Sequence, residues 1–167
     1  MTLKEVNLLD EDAFAERLGG IFEESPWIAR QTWENRPFES RDDLLCKLKA
    51  TVLESDRTAQ VELIQAHPDL AGRLAEAGEL TAESTREQKE AGLADADSEI
   101  RKNLQERNQR YREKFGFPFV ICARLNNIKT ILAAFDKRLE SDRETEIDTA
   151  IGEIGKIAQL RLEDIVS

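Results

Sequence analysis

One histidine occurs in the chain, His67. Its type points to proton transfer, because imidazole is the side chain whose ordinary pKa, about 6.5, lies near neutrality. Pro68 follows it, and proline disfavours helical geometry in the residue before it, so a helix carrying Val61, Leu63 and Ile64 must end close to His67. A histidine at a helix end also has a plain structural use, interacting with the last carbonyls and the dipole. Spacing alone leaves both uses open.

Three other groups stand out by type. In the last helical pattern, Ile147, Ile151, Ile154, Ala158 and Ile165 form an apolar stripe, and the position on that stripe at 161 holds an arginine. A buried cation needs an anion. Arg161 is therefore a snorkelling arginine, one paired to a core Asp or Glu, or an anchor that grips a ligand carboxylate with its planar fork. Ser84 and Glu87 have the S-x-x-E spacing of a capping box. The same helix start would also present backbone N–H groups to an electronegative ligand atom, with Gln88 adding a donor and an acceptor. Finally, Phe115, Phe117 and Phe119 lead into Val120-Ile-Cys-Ala123. Such a run fills a core, or walls a pocket whose uncommitted backbone groups meet a flat, amide-rich heterocycle.

The elements that must position these groups are helical. Apolar residues recur at helical spacing nearly throughout, with few prolines and glycines and no internal repeat. The pattern predicts an all-α fold, one compact domain over 1–167 with about eight helices. One helix runs from about Glu11 to Leu18 before Gly19 and Gly20, and the next starts at Ser25-Pro26. Another is announced by Ser40 and Asp43, with Leu44, Leu45, Leu48 and Val52 behind them, and breaks at Glu54-Ser-Asp-Arg57. The helix before His67 starts near Thr58. A long helix over about Asp97–Lys114 carries Ile100, Leu104, Tyr111 and Phe115, with Asn108 as the one polar member of its stripe. The segment 117–123 is short and contains Pro118, so it reads as extended chain laid over the core. Leu125, Ile128, Leu132, Phe135 and Leu139 mark the penultimate helix.

Charge and cysteine content narrow the partners. The formal net charge of -10 repels nucleic acid and anionic membranes, so an anionic ligand must be held by local cations. The N-terminal residues lack the basic flank and apolar run of a secretory signal, and no stretch approaches the ~20 apolar residues of a membrane span, which predicts a soluble, unexported protein. Cys46 and Cys122 have neither disulfide-framework nor zinc-site spacing and read as buried free thiols. With one histidine, a histidine-rich metal cluster is excluded.

Taken together, His67-Pro-Asp-Leu-Ala-Gly72, Ser84-Thr-Arg-Glu-Gln88 leading to Ala91-Gly-Leu93, and Phe115-Gly-Phe-Pro-Phe-Val-Ile-Cys-Ala-Arg124 closely resemble the 2-oxo-4-hydroxy-4-carboxy-5-ureidoimidazoline (OHCU) decarboxylases. The tail Ile154-Gly-Lys-Ile-Ala-Gln-Leu-Arg-Leu-Glu-Asp164 resembles that family's last helix, so the likeness spans nearly the whole chain. It implies an all-helical enzyme without metal or organic cofactor that decarboxylates OHCU to (S)-allantoin, the last of three steps from urate. His67 would be the proton donor and Glu87 its acidic companion. Pro68, Ser84, Gln88, Phe119, Val120, Ile121 and Ala123 would line the substrate site, and Arg161 would anchor the substrate carboxylate. A homodimer is implied by analogy.

The chemistry is consistent with working unaided. Many decarboxylases supply a cofactor as electron sink, whereas this substrate carries a C=N bond beside the carbon that loses CO2. The protein has to hold the carboxylate where its electrons can enter the ring and return one proton to one face. Glu87 would accept a hydrogen bond from the substrate hydroxyl or from the imidazole. The C-terminus lacks an S-K-L address, which favours the cytoplasm of a prokaryote. Competing readings are a non-catalytic helical interaction module with an acidic face, and an enzyme acting on another small ureido or imidazoline acid.

Overall fold

The computed structural model describes residues 1–70 and 98–167. Among them every regular element is helical: eight α-helices and two short 3₁₀ turns. The all-α class therefore holds. The chain divides into two compact units, Met1–Ala66 with Gly155–Ser167, and His67–Ile154.

The first unit contains α1 (Leu3–Leu8), α2 (Glu11–Leu18), α3 (Pro26–Trp33), α4 (Arg41–Glu54) and α5 (Arg57–Gln65). Side-chain caps fix where most of them begin. Asp10, Ser40 and Asp56 accept hydrogen bonds from the backbone N–H three residues on, and Pro26 opens α3 where its missing N–H costs nothing. A cap of this kind contributes about 1 kcal/mol. Phe14, Leu18, Ile28, Leu44, Leu48, Leu63 and Ile64 are fully or almost fully buried. Gln60 closes the turn between α4 and α5, its amide donating to the carbonyls of Val52 and Ser55 at 3.2 and 3.3 Å.

The second unit contains α6 (Ser98–Phe115), the extended segment 117–122, α7 (Ile128–Arg138) and the first part of α8 (Arg143–Ile165), which ends in the first unit. α6 stops because Gly116 takes φ +81°, a left-handed turn that costs glycine no Cβ clash. The chain then runs extended through Phe117 and Phe119, which, with Phe115 and Phe135, surround Tyr111 at centroid distances of 4.6 to 6.5 Å. Leu104, Asn108, Tyr111 and Phe115 of α6 are buried, as the helical stripe predicts.

The structure corrects several boundaries and faces. α1 was not anticipated, although Thr2 and Glu5 form a capping box that announces it. The stretch expected as a break before α5 supplies its cap, Asp56, and the helix starts at Arg57. Leu125 lies in a 3₁₀ turn and is 60% exposed, so it is not part of α7. The buried line of α7 is Ile131, Phe135 and Arg138, while Ile128, Leu132 and Leu139 are only partly covered. Cys122 is buried as expected, but Cys46 is exposed because α4 turns Leu44, Leu45 and Leu48 inward instead.

Three helix-end carboxylates carry a pH dependence. Glu5, Asp43 and Asp142 are held below their ordinary values of 4.5, 3.8 and 3.8, first by hydrogen bonds from the backbone N–H groups of Thr2, Glu39 and Thr145. Their depressed folded-state values mean that the unfolded chain takes up protons first as the solution is acidified. Their contribution is thus present above the ordinary carboxylate range and is lost as pH falls through the lower folded values. Thermal melts between pH 6 and pH 3 should show the midpoint falling at the acid end. Asp142→Asn, which still caps, should flatten part of that fall.

Candidate active site

α5 delivers His67. Its last turn closes with the Ala66 N–H on the Glu62 carbonyl at 3.0 Å, and His67 follows immediately, off the helix and only 6% exposed. The helix end enforced by Pro68 is therefore where the sequence places it. Among the described residues, the chain behind Pro68 is tied to α6 twice. Asn108 donates its side-chain amide to the Leu70 carbonyl at 2.9 Å, a buried contact, and Arg112 meets the Asp69 carboxylate at 2.9 Å nearer the surface.

The same unit holds the extended segment. Phe119, Val120, Ile121 and Ala123 are all buried, and Phe119 stacks on Phe135 at 3.6 Å between centroids. Among the described residues, no acceptor takes a hydrogen bond from the backbone N–H of Phe119, Val120, Ile121 or Ala123. Each is a hydrogen-bond donor not committed to a helix. A ligand rich in carbonyl oxygens could satisfy them.

What holds this segment is a side chain that sequence reasoning missed. Arg138, 7% exposed at the end of α7, donates from Nη1 to the Val120 carbonyl at 2.7 Å and from Nε to Glu146 Oε1 at 2.7 Å. Its guanidinium carbon lies 4.2 Å from the centre of the Phe119 ring, a cation–π contact. Tyr111 donates its hydroxyl to the same Glu146 oxygen at 2.6 Å. Burial pushes the Tyr111 hydroxyl well above its ordinary pKa, so it stays a donor across the working pH range. α6, α7, α8 and the extended segment thus meet at one buried ion pair. Helical spacing could have found it, since 131, 135 and 138 fall on one face.

Arg161, on the part of α8 in the first unit, is buried as its place on the stripe predicts. Nη2 lies 2.9 Å from Glu23 Oε2, and Nη1 reaches the Gly20 and Ile21 carbonyls at 3.2 and 3.3 Å. The core carboxylate weighed for Arg161 therefore exists, and it is Glu23. That partner was not singled out, because Phe22-Glu-Glu-Ser25 reads as a polar loop. The need of a buried arginine for an anion was the available signal.

Comparison with known proteins decides what this set of residues belongs to. The profile of the family described as OHCU decarboxylase matches residues 7–163. The chain belongs to the OHCU decarboxylase family. The 2-oxo-4-hydroxy-4-carboxy-5-ureidoimidazoline decarboxylase of Mus musculus is 43% identical over 99% of this chain and 93% of its own length. The crystal structure of an (S)-allantoin synthase superposes with a TM-score of 0.78 at 29% identity, covering all of this chain, which spans 54% of that one. A crystal structure of OHCU decarboxylase in the presence of (S)-allantoin gives a TM-score of 0.69 at 23% identity over 93% of this chain and 97% of that one, a likeness of fold.

For an OHCU decarboxylase, the described residues gather His67, Pro68 and Phe119, Val120, Ile121 and Ala123 into one compact unit, with Arg161 in the other. Ser84, Glu87 and Gln88, with their expected capping box and Gly92 stop, lie outside the described residues. No helix among the described residues is long and apolar enough to cross a membrane.

Proposed function

We propose that this protein converts OHCU to (S)-allantoin with release of CO2, the final step from urate to allantoin in purine breakdown. The observation that carries this reading is the match to the family over residues 7–163 together with a relative of that name aligned over 99% of the chain. His67, at the helix end where the family motif begins, supports it.

The substrate's atoms define the residues' tasks. Breaking the bond between C4 and its carboxyl group leaves an electron pair that forms the C4=C5 bond, while the former C=N electrons move to the ring nitrogen, which takes a proton from solvent. The C4 hydroxyl then loses its proton to become the product carbonyl, and C5 gains one. The stereocentre forms at C5, next to the carbon that lost CO2, so the face on which the proton arrives sets the hand. His67 delivers that proton, in the role of general acid. Glu87 takes the hydroxyl proton or orients the imidazole. Ser84, Gln88, Pro68 and the amides of Phe119 to Ala123 hold the ring, and the family likeness assigns the carboxylate to Arg161. No cofactor enters this scheme. In this reading the protein is cytoplasmic and works as a homodimer by analogy with its family.

The test generates OHCU in place from urate with uricase and hydroxyisourate hydrolase. With this protein added, OHCU should disappear and CO2 should form many times faster than in its absence. An unchanged decay rate would refute the proposal. Faster decay of a different ureido acid in competition would reassign the substrate.

A further inference from the structure

α6 contains a polar residue where its apolar stripe calls for a leucine. Asn108 is 5% exposed, between buried Leu104 and Tyr111. Its amide nitrogen donates to the Leu70 carbonyl at 2.9 Å, while its Oδ1 is buried with no hydrogen-bond partner among the described residues. The orientation is fixed by chemistry, since turning the amide over would set two acceptors against each other. The oxygen end of this side chain is thus unmet in the interior, which costs stability. An apolar residue at 108 would pack on the same stripe without that cost.

What the side chain does in return is hold Leu70, three residues beyond His67. The intervening Pro68 has a fixed φ, so the stretch from His67 to Leu70 has few free torsions. Its other tie, Arg112 to Asp69, is half exposed on the arginine side and is a weak restraint in water. Of these two ties, the Asn108 contact is the buried one, out of reach of competing solvent.

We infer that Asn108 is a positioning residue for His67: through the Leu70 carbonyl it fixes the backbone that aims the imidazole, at the expense of stability. The inference rests on the proposed role of His67 as proton donor. Loss of the tie affects alignment in the reacting complex more than substrate binding, so it acts on kcat.

The full chain carrying Asn108→Leu is compared with wild type by thermal melting and by steady-state turnover of OHCU generated in place, with His67→Asn beside it. The expected result is a melting midpoint at or above that of wild type, kcat lower by about tenfold to a hundredfold, and KM within about threefold. Asn108→Asp, equal in size but with no amide donor, should lower kcat likewise, which keeps the test decisive if the leucine variant fails to fold. A folded Asn108→Leu or Asn108→Asp protein with wild-type kcat overturns the inference. So does a rate that falls only in step with melting temperature, which is the signature of a structural role. If His67→Asn retains full activity, the proton-donor reading itself fails, whatever the variants at 108 do.

Discussion

His67→Asn should leave a folded protein whose kcat for OHCU decarboxylation is lower by about 10²- to 10⁴-fold, the usual contribution of a positioned general acid. Asparagine can keep one of the imidazole's hydrogen bonds but cannot titrate near neutrality. The fold should survive because α5 closes through the backbone of Ala66, ahead of Pro68. Residual product should be racemic, since without a proton delivered to one face of C5 the slow uncatalysed route dominates. Circular dichroism of the product and a melting curve of the variant measure both halves of this expectation. A folded His67→Asn protein with wild-type turnover would remove His67 from the chemistry.

The second large effect is on stability. Glu146→Ala should destabilise the protein by about 3–5 kcal/mol, because it leaves the Arg138 guanidinium buried without its anion. Glu146 is 1% and Arg138 8% exposed at the side chain, so water cannot take over the lost contact. Tyr111 loses its acceptor in the same substitution. The double variant Arg138→Met, Glu146→Leu should recover a large part of the loss, since it removes both charges together. It should nevertheless raise KM, because the Val120 carbonyl loses its donor and the segment expected to hold the substrate ring is no longer pinned. Urea titration and turnover measured on both variants test this. A Glu146→Ala protein as stable as wild type would show that the ion pair is not what joins these helices.

Which parts of this were readable beforehand follows from what periodicity can encode. Helix ends carry local chemical signals, and those at Ser25-Pro26, Ser40 and Pro68 were interpretable without coordinates. α1 carried such a signal too, in Thr2 and Glu5, but its six residues hold only one buried side chain, Val6, so no apolar stripe drew attention to it. Arg161 was found because it interrupts a long stripe. Arg138 was not, because a basic residue in the last turn of a helix is ordinary there, and Leu139 beside it gave the stripe a plausible end one position off. Glu23 and Glu146 could not be named from sequence, since pairing between residues 138 and 8 positions apart from their arginines is a fact of tertiary structure. The chemistry itself was legible only through the joint pattern of the His67, Ser84 to Gln88 and Phe115 to Arg124 motifs. Periodicity alone treats each as a cap or a core segment.

The central claim is that this chain takes CO2 from OHCU and returns a proton to one face. The most direct measurement is the optical activity of allantoin formed from freshly generated OHCU, with and without the protein. The account predicts rapid formation of allantoin with a large excess of the (S) enantiomer. Racemic allantoin, appearing no faster than in the protein's absence, would contradict it.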